Sequence, residues 1–144
     1  MRLLSRRAKL TDPDFALLAR AFNRARASLS FYLTAWVFLL DHWHAICEPV
    51  YPVTISLAMK SVKQSSVSAM NLRRSASGEV WQPRFFDRAL RTVKEYNEKV
   101  EYIHRNPVRA GWVHRSQDWR CSSVHEYSGL SAEEQKRRCG LLID

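Results

Sequence analysis

Two histidines set two apart, His42 and His44, and a tyrosine much later in the chain, Tyr102, are the residues whose types could do chemistry together. Side chains alternate between faces along an extended strand, so His42 and His44 point the same way. Two neutral imidazole nitrogens on one face are half of a divalent-metal site. Asp41 beside them offers a carboxylate that could orient one ring through its other nitrogen. Tyr102 lies about 100° round a helix from Ile103, beside the apolar stripe of Val93, Tyr96, Val100 and Ile103 and not within it. Asn106 follows one turn later over the same face. A phenol with an ordinary pKa of about 10 is mostly protonated at neutral pH, so it needs help to act as a nucleophile. A metal on the two histidines could polarise a phosphate for it. Plainer readings of the same residues remain open. Histidines so spaced can be packing residues, and Tyr102 with Asn106 can be a half-exposed tyrosine near a helix cap. His42, His44 and Cys47 with Cys121 or His125 could form a structural zinc site, although the spacing matches no common zinc module.

These groups must be positioned by the elements around them. Ser30 to Ile46 carries aromatic and aliphatic side chains on both faces of a two-residue period. That predicts one central strand, buried on both sides, with the histidine pair at its end. A helix is expected before it, with Asp12 as N-cap, Pro13 at the first helical position, and Phe15, Leu18, Phe22 and Ala25 at helical spacing. A second helix from about Thr54 to Asn71 would turn Ile55, Met59, Val62, Ser66 and Ala69 inward, followed by a basic loop from Arg73 to Gly78. Val80 to Phe86 reads as extended, with Pro83 removing a ladder donor. The third helix opens on a Thr92/Glu95 capping box and is expected to stop at Asn106-Pro107, since a residue before proline avoids helical geometry. Gly111-Trp112-Val113 reads as a short strand, and Ala132 to Arg138 as a charged helical piece.

The chain of 144 residues has the size of one domain with one core, expected as residues 1–144 with 131–144 a charged C-terminal tail. Its 46% hydrophobic content, with 4 glycines and 5 prolines, argues against a disordered chain. The 23 Lys and Arg against 14 Asp and Glu give a net charge of +9. A compact domain that basic usually meets a polyanion, most often nucleic acid. Three cysteines without a CxxC pair fit a reducing compartment better than a disulfide framework. The apolar run from Phe31 to Leu40 is far short of the roughly 20 residues that span a bilayer, and the basic N-terminus lacks the apolar stretch of a secretion signal. No membrane is therefore expected, and the cytoplasm, with the nucleoid, is the expected location.

Four ordered blocks carry a family resemblance: LTAWVFLLDHWHAI (Leu33 to Ile46), VWQPRFFDRALR (Val80 to Arg91), YIHRNPVRAGWV (Tyr102 to Val113) and DWRCSSVHEY (Asp118 to Tyr127). Over about Leu10 to Tyr127 the chain resembles the REP-associated tyrosine transposases, small single-tyrosine members of the HUH single-strand transposase superfamily. The resemblance implies an α+β, ferredoxin-like fold, an antiparallel sheet carrying the histidines with helices packed against it. It also implies cleavage and joining of single-stranded DNA beside hairpins, through a 5′-phosphotyrosine and with Mg²⁺ or Mn²⁺. By position His42 and His44 would be metal ligands and Tyr102 the nucleophile, with Asn106 where relatives place a carboxamide or similar third ligand. Arg73, Arg74, Arg84, Arg88 and Arg109 would contact phosphates, the kind of contact that sets affinity and salt dependence. Related enzymes occur as monomers and as homodimers.

One departure bears on activity. Family members begin with an internal strand, whereas MRLLSRRAKL, before the first helix, is a poor strand by composition. Its loss would leave a neighbour's backbone groups unpaired. The basic segment substitutes for that strand, or the start is truncated, or the chain is a decayed copy. The alternative function is therefore a protein of the same fold that binds hairpin DNA without cutting it.

Overall fold

The computed structural model describes residues 1–127; the expected helical piece at Ala132 to Arg138 and the tail at 131–144 lie outside the described residues. The fold is α+β: helix α1 (Asp12–Ser28), strands β1 (Phe31–Phe38) and β2 (Trp43–Pro49), helix α2 (Ile55–Arg74) and helix α3 (Val93–Arg109), followed by two short 3₁₀ turns at Ser116–Asp118 and Ser123–Glu126.

β1 and β2 pair antiparallel, Phe38 opposite Trp43 and Phe31 opposite Pro49. The single central strand expected from Ser30 to Ile46 is thus a hairpin. Its turn, Leu39 to His42, contains neither glycine nor proline. It is held by the Leu39 N–H on the His42 carbonyl (2.8 Å), while the Leu40 carbonyl accepts from Leu10 N–H (2.7 Å) and the Asp41 carbonyl from Leu3 N–H (2.8 Å). Backbone groups that turn chemistry would ordinarily satisfy locally are satisfied here by the N-terminal segment.

The sheet separates two apolar layers, as a strand buried on both faces requires. Phe31, Leu33, Trp36, Phe38 and Trp43 face α1 and α2, where they pack on Phe15, Leu18, Phe22, Met59 and Val62. Ala35, Val37 and Leu39 face α3 and meet Val100 and Ile103. The switch of face between Leu33 and Ala35 is a bulge at Thr34, where the register with β2 shifts.

Helix boundaries follow capping. The N-cap of α1 is Thr11 and not Asp12: Asp14 accepts from both the backbone N–H and the hydroxyl of Thr11, each at 2.9 Å, which places Asp12 and Pro13 in the first turn. Asp14 has no exposed surface, and its other bonds come from Arg73 (2.7 Å) and Arg74 (2.5 Å). Those arginines end α2 instead of lying in the expected loop, because pinning α2 to the start of α1 is what carries the helix past Asn71. Ile55 and Ala69 are half-buried, with Ala58 and Met70 taking the inner positions. In α3 the Thr92 hydroxyl accepts from Glu95 N–H (3.1 Å), while the Glu95 carboxylate reaches Arg91 N–H (2.8 Å). Val93 is exposed. Pro107 sits inside α3, contrary to the expected stop. Its missing N–H forfeits one bond near the end of the helix, and a Schellman motif then closes the terminus: Trp112 N–H on the Pro107 carbonyl (3.1 Å), Gly111 N–H on the Val108 carbonyl (3.0 Å), and Gly111 at φ +73. The expected strand at Gly111-Trp112-Val113 is this cap.

Met1 to Leu4 lies between two segments. Met1 N and O bond Trp43 O and N (3.0 and 2.9 Å). On the other side Leu4 N–H bonds the Val80 carbonyl (3.0 Å) and Gln82 N–H the Arg2 carbonyl (2.9 Å). The basic N-terminus thus bridges the start of β2 on one side and Val80 to Gln82 on the other, over about three residues. Along the outer edge of β1, the segment after α3 makes the contacts that a further strand would make. Phe38 N–H bonds the Cys121 carbonyl (2.9 Å), Trp36 N–H bonds Ser123 Oγ (2.9 Å), Trp119 Nε1 bonds the Phe38 carbonyl (2.8 Å), and the Tyr127 hydroxyl bonds the Thr34 carbonyl.

Candidate active site

On β2, Trp43, Ala45 and Cys47 pack toward α1 and α2, which turns His44 and Ile46 toward α3. His42, one residue before the strand, pairs as an isolated bridge with Arg2 and so shares the face of His44. The rings of His42 and His44 lie edge-on, centroids 5.0 Å apart. Tyr102 of α3 faces them, its ring 5.7 Å from that of His44. Sheet and helix thus bring together the three residues singled out from sequence. Asn106, half-buried, lies one turn beyond Tyr102 on α3.

The electrostatics of the site are defined. Burial pulls the pKa of His44 down to about 4, and electrostatic interactions with His42, the N-terminal amine, Lys99 and Arg2 act in the same direction. His44 is therefore a neutral imidazole at physiological pH, the form that binds a metal. His42 Nδ1 is 2.6 Å from Asp41 Oδ1. Burial works to raise the Asp41 carboxyl, yet the hydrogen bond and charge of His42 and the charge of Arg2 outweigh it and hold the group below its ordinary value.

The donor set fits a divalent ion on two rings. An ion about 2.1 Å from one nitrogen of each ring separates the ring centroids by roughly 4.5–5.3 Å for angles between square and tetrahedral, and the observed 5.0 Å falls inside that range. Among the described residues no group of three or more His, Cys, Asp and Glu lies together as a metal site. The zinc alternative fails on geometry: Cys47 faces the opposite side of the sheet, Cys121 is buried at the β1 edge, and His125 bonds the Trp119 carbonyl.

Two cations lie over the Tyr102 ring, Lys99 Nζ at 4.6 Å and Arg109 Cζ at 4.9 Å from its centroid. Lys99 was not singled out from sequence, although its place three residues before Tyr102 puts it on the same helix face. Of the other arginines, Arg84 is exposed, Arg88 is exposed but bonded to Glu95 (2.6 Å), and Arg73 and Arg74 are engaged by Asp14. A cleft of about 700 Å³ opens beside His44, walled by β2, by Phe85 to Leu90 and by Tyr96 and Lys99 of α3. Among the described residues no helix is long and apolar enough to cross a membrane.

A family profile described as "Transposase IS200 like" matches residues 1–106. The REP-associated tyrosine transposase of Escherichia coli (strain K12) is 33% identical over 124 residues, 85% of this chain and 72% of that protein. A solved structure, of a REP-associated tyrosine transposase bound to a REP hairpin, superposes with a TM-score of 0.77 at 32% identity, covering 87% of this chain and 73% of the other. With this fold and this arrangement of histidines and tyrosine, the chain belongs to the IS200-like transposase family, among the REP-associated tyrosine transposases.

Proposed function

We propose that the chain is a metal-dependent, single-tyrosine strand transferase that cuts and joins single-stranded DNA beside hairpins. The observation that carries this reading is Tyr102 facing the His42–His44 pair across the interface of sheet and α3. His42 and His44 would hold Mg²⁺ or Mn²⁺, with the Asn106 carboxamide as a third ligand; the ion would polarise the scissile phosphate and orient it for in-line attack. The Tyr102 oxygen gives up its proton and bonds to phosphorus, the bond to the 3′ oxygen breaks, and a 3′-hydroxyl leaves while the 5′ phosphate stays on the tyrosine. Attack by a 3′-hydroxyl on that phosphotyrosine reverses the chemistry and joins a strand. Lys99 and Arg109, lying over the ring, place positive charge where the phosphate has to sit. Arg88, which lines the cleft, and the exposed Arg84 would contact the DNA backbone, whereas Arg73 and Arg74 reach DNA only with what their bonds to Asp14 leave over. The hairpin in the complex of the related transposase supports the choice of DNA substrate.

Hairpin-bearing single strands with Mn²⁺ should trap a covalent protein–DNA adduct that survives denaturing electrophoresis. Tyr102→Phe removes it, as do EDTA and His42→Ala. An adduct of wild-type yield from Tyr102→Phe overturns the nucleophile assignment. A hairpin-binding protein that does not cut would show binding without any adduct.

A further inference from the structure

We infer that Asp41 is the positioning residue of the site: it holds His42 in the Nδ1–H tautomer and thereby presents Nε2 as the nitrogen that faces the metal. The inference rests on the reading that His42 and His44 share a divalent ion.

A carboxylate only accepts hydrogen bonds, so the 2.6 Å contact of Asp41 Oδ1 with His42 Nδ1 puts the proton on Nδ1. In a neutral ring that leaves the lone pair on Nε2. The ring is largely covered, with 18% of its side-chain surface exposed, so a turn about its own axis meets neighbouring atoms. Asp41 is itself fixed by elements outside the site. Its carbonyl accepts from Leu3 N–H (2.8 Å), and its second carboxylate oxygen lies 3.9 Å from Arg2. The N-terminal segment thus braces the residue that aims His42, and Arg2 pairs with His42 as an isolated bridge as well. Carboxylate partners of metal-binding histidines contribute about 10–100-fold to metal affinity.

The test uses the full chain in two measurements. The first is the ring-nitrogen NMR of His42 in metal-free protein; the second is Mn²⁺ affinity by calorimetry or by loss of the free-ion EPR signal. Wild type should show Nδ1–H. Asp41→Ala should mix the tautomers and weaken Mn²⁺ about 10–100-fold. Asp41→Asn, whose side-chain oxygen still accepts the bond, should restore the tautomer and most of the affinity. Arg2→Ala, which removes only the 3.9 Å ion pair and leaves the Leu3 N–H bond to the Asp41 carbonyl, should change both far less than Asp41→Ala does. Circular dichroism of each variant confirms that it is folded. An Nε2–H ring in wild type, or Asp41→Ala binding Mn²⁺ as wild type does, overturns the inference. So does Arg2→Ala matching the loss in Asp41→Ala, because the effect would then run through the N-terminal segment. Wild type that holds the Nδ1–H tautomer but binds no Mn²⁺ overturns the metal reading and leaves the tautomer assignment standing.

Discussion

Replacing Asp14 with alanine tests the structural role of Arg73 and Arg74. The carboxylate is fully buried and receives bonds from both guanidinia and from the Thr11 backbone and hydroxyl. Losing the cap costs about 1 kcal/mol. The Arg74 bond, with 18% of that side chain exposed, contributes at the scale of bonds to charged groups, about 1.5–3 kcal/mol. Arg73 is 38% exposed, so its share is discounted to the surface scale, below about 1 kcal/mol. The sum is about 2.5–5 kcal/mol, a large part of a domain's usual stability of roughly 5–15 kcal/mol. It corresponds to a melting temperature lower by roughly 10–15 °C in a chain of this length. Urea unfolding followed by circular dichroism reads it directly. The pH dependence supplies a second check. Burial alone would raise the Asp14 carboxyl, but the bonds from Arg74, Arg73 and Thr11 outweigh it and hold it below its ordinary 3.8. A depressed carboxyl contributes stability that is present above the unfolded pKa and lost as pH falls through the folded one. The gap between wild type and Asp14→Ala should be constant at neutral pH and close in acid below about pH 4. A gap under about 1 kcal/mol at pH 7, or one that persists unchanged into strong acid, refutes the reasoning.

The remaining predictions concern an acid-sensitive core and the DNA contacts. His104 is buried, 2.9 Å from Ser123 Oγ, and burial, with the charge of His125 added, pulls its pKa down to about 4. The unfolded chain therefore binds more protons between about pH 6.5 and 4, and stability should fall as pH drops through that window, by up to about 1.4 kcal/mol per unit. His44, lowered to about the same value, contributes in the same window, so His104→Gln should remove about half of the slope in pH-dependent unfolding, and an unchanged slope would show that His104 does not contribute. Arg84→Ala should weaken hairpin binding evenly across sequences, reduce the salt slope by about 1, and leave the melting temperature alone; a change in sequence preference instead would mean that Arg84 reads a base.

Much of this was legible from residue spacing, because helices announce themselves through stripes and caps. Phe15, Leu18 and Phe22 of α1 and the Thr92/Glu95 start of α3 came directly from the pattern. The hairpin did not, since the turn from Leu39 to His42 is apolar on one side and has neither glycine nor proline; distant backbone partners at Leu3 and Leu10 stabilise it. The same cause hid the N-terminal bridges: Met1 to Leu4 has little strand propensity, but backbone partners on both sides decide its pairing. Tyr102 was legible as a residue off the stripe, and the shared face of His42 and His44 followed from the period of two. Lys99 stayed hidden because a lysine near a helix surface is ordinary until the ring beneath it is seen.

The seal along β1 bears on how copies of this protein can meet. Outward-facing backbone groups of Thr34, Trp36 and Phe38 are taken by Tyr127, Ser123, Trp119 and Cys121, so this edge offers no template for a strand from a second molecule. Among the described residues, sheet growth from Thr34 to Phe38 of β1 is closed off. The sealing segment also grips α3, through Ser123 on His104 and Tyr127 on Tyr96. The guard against aggregation and the mounting of the Tyr102 helix are therefore one piece of chain, and loosening the first unseats the second.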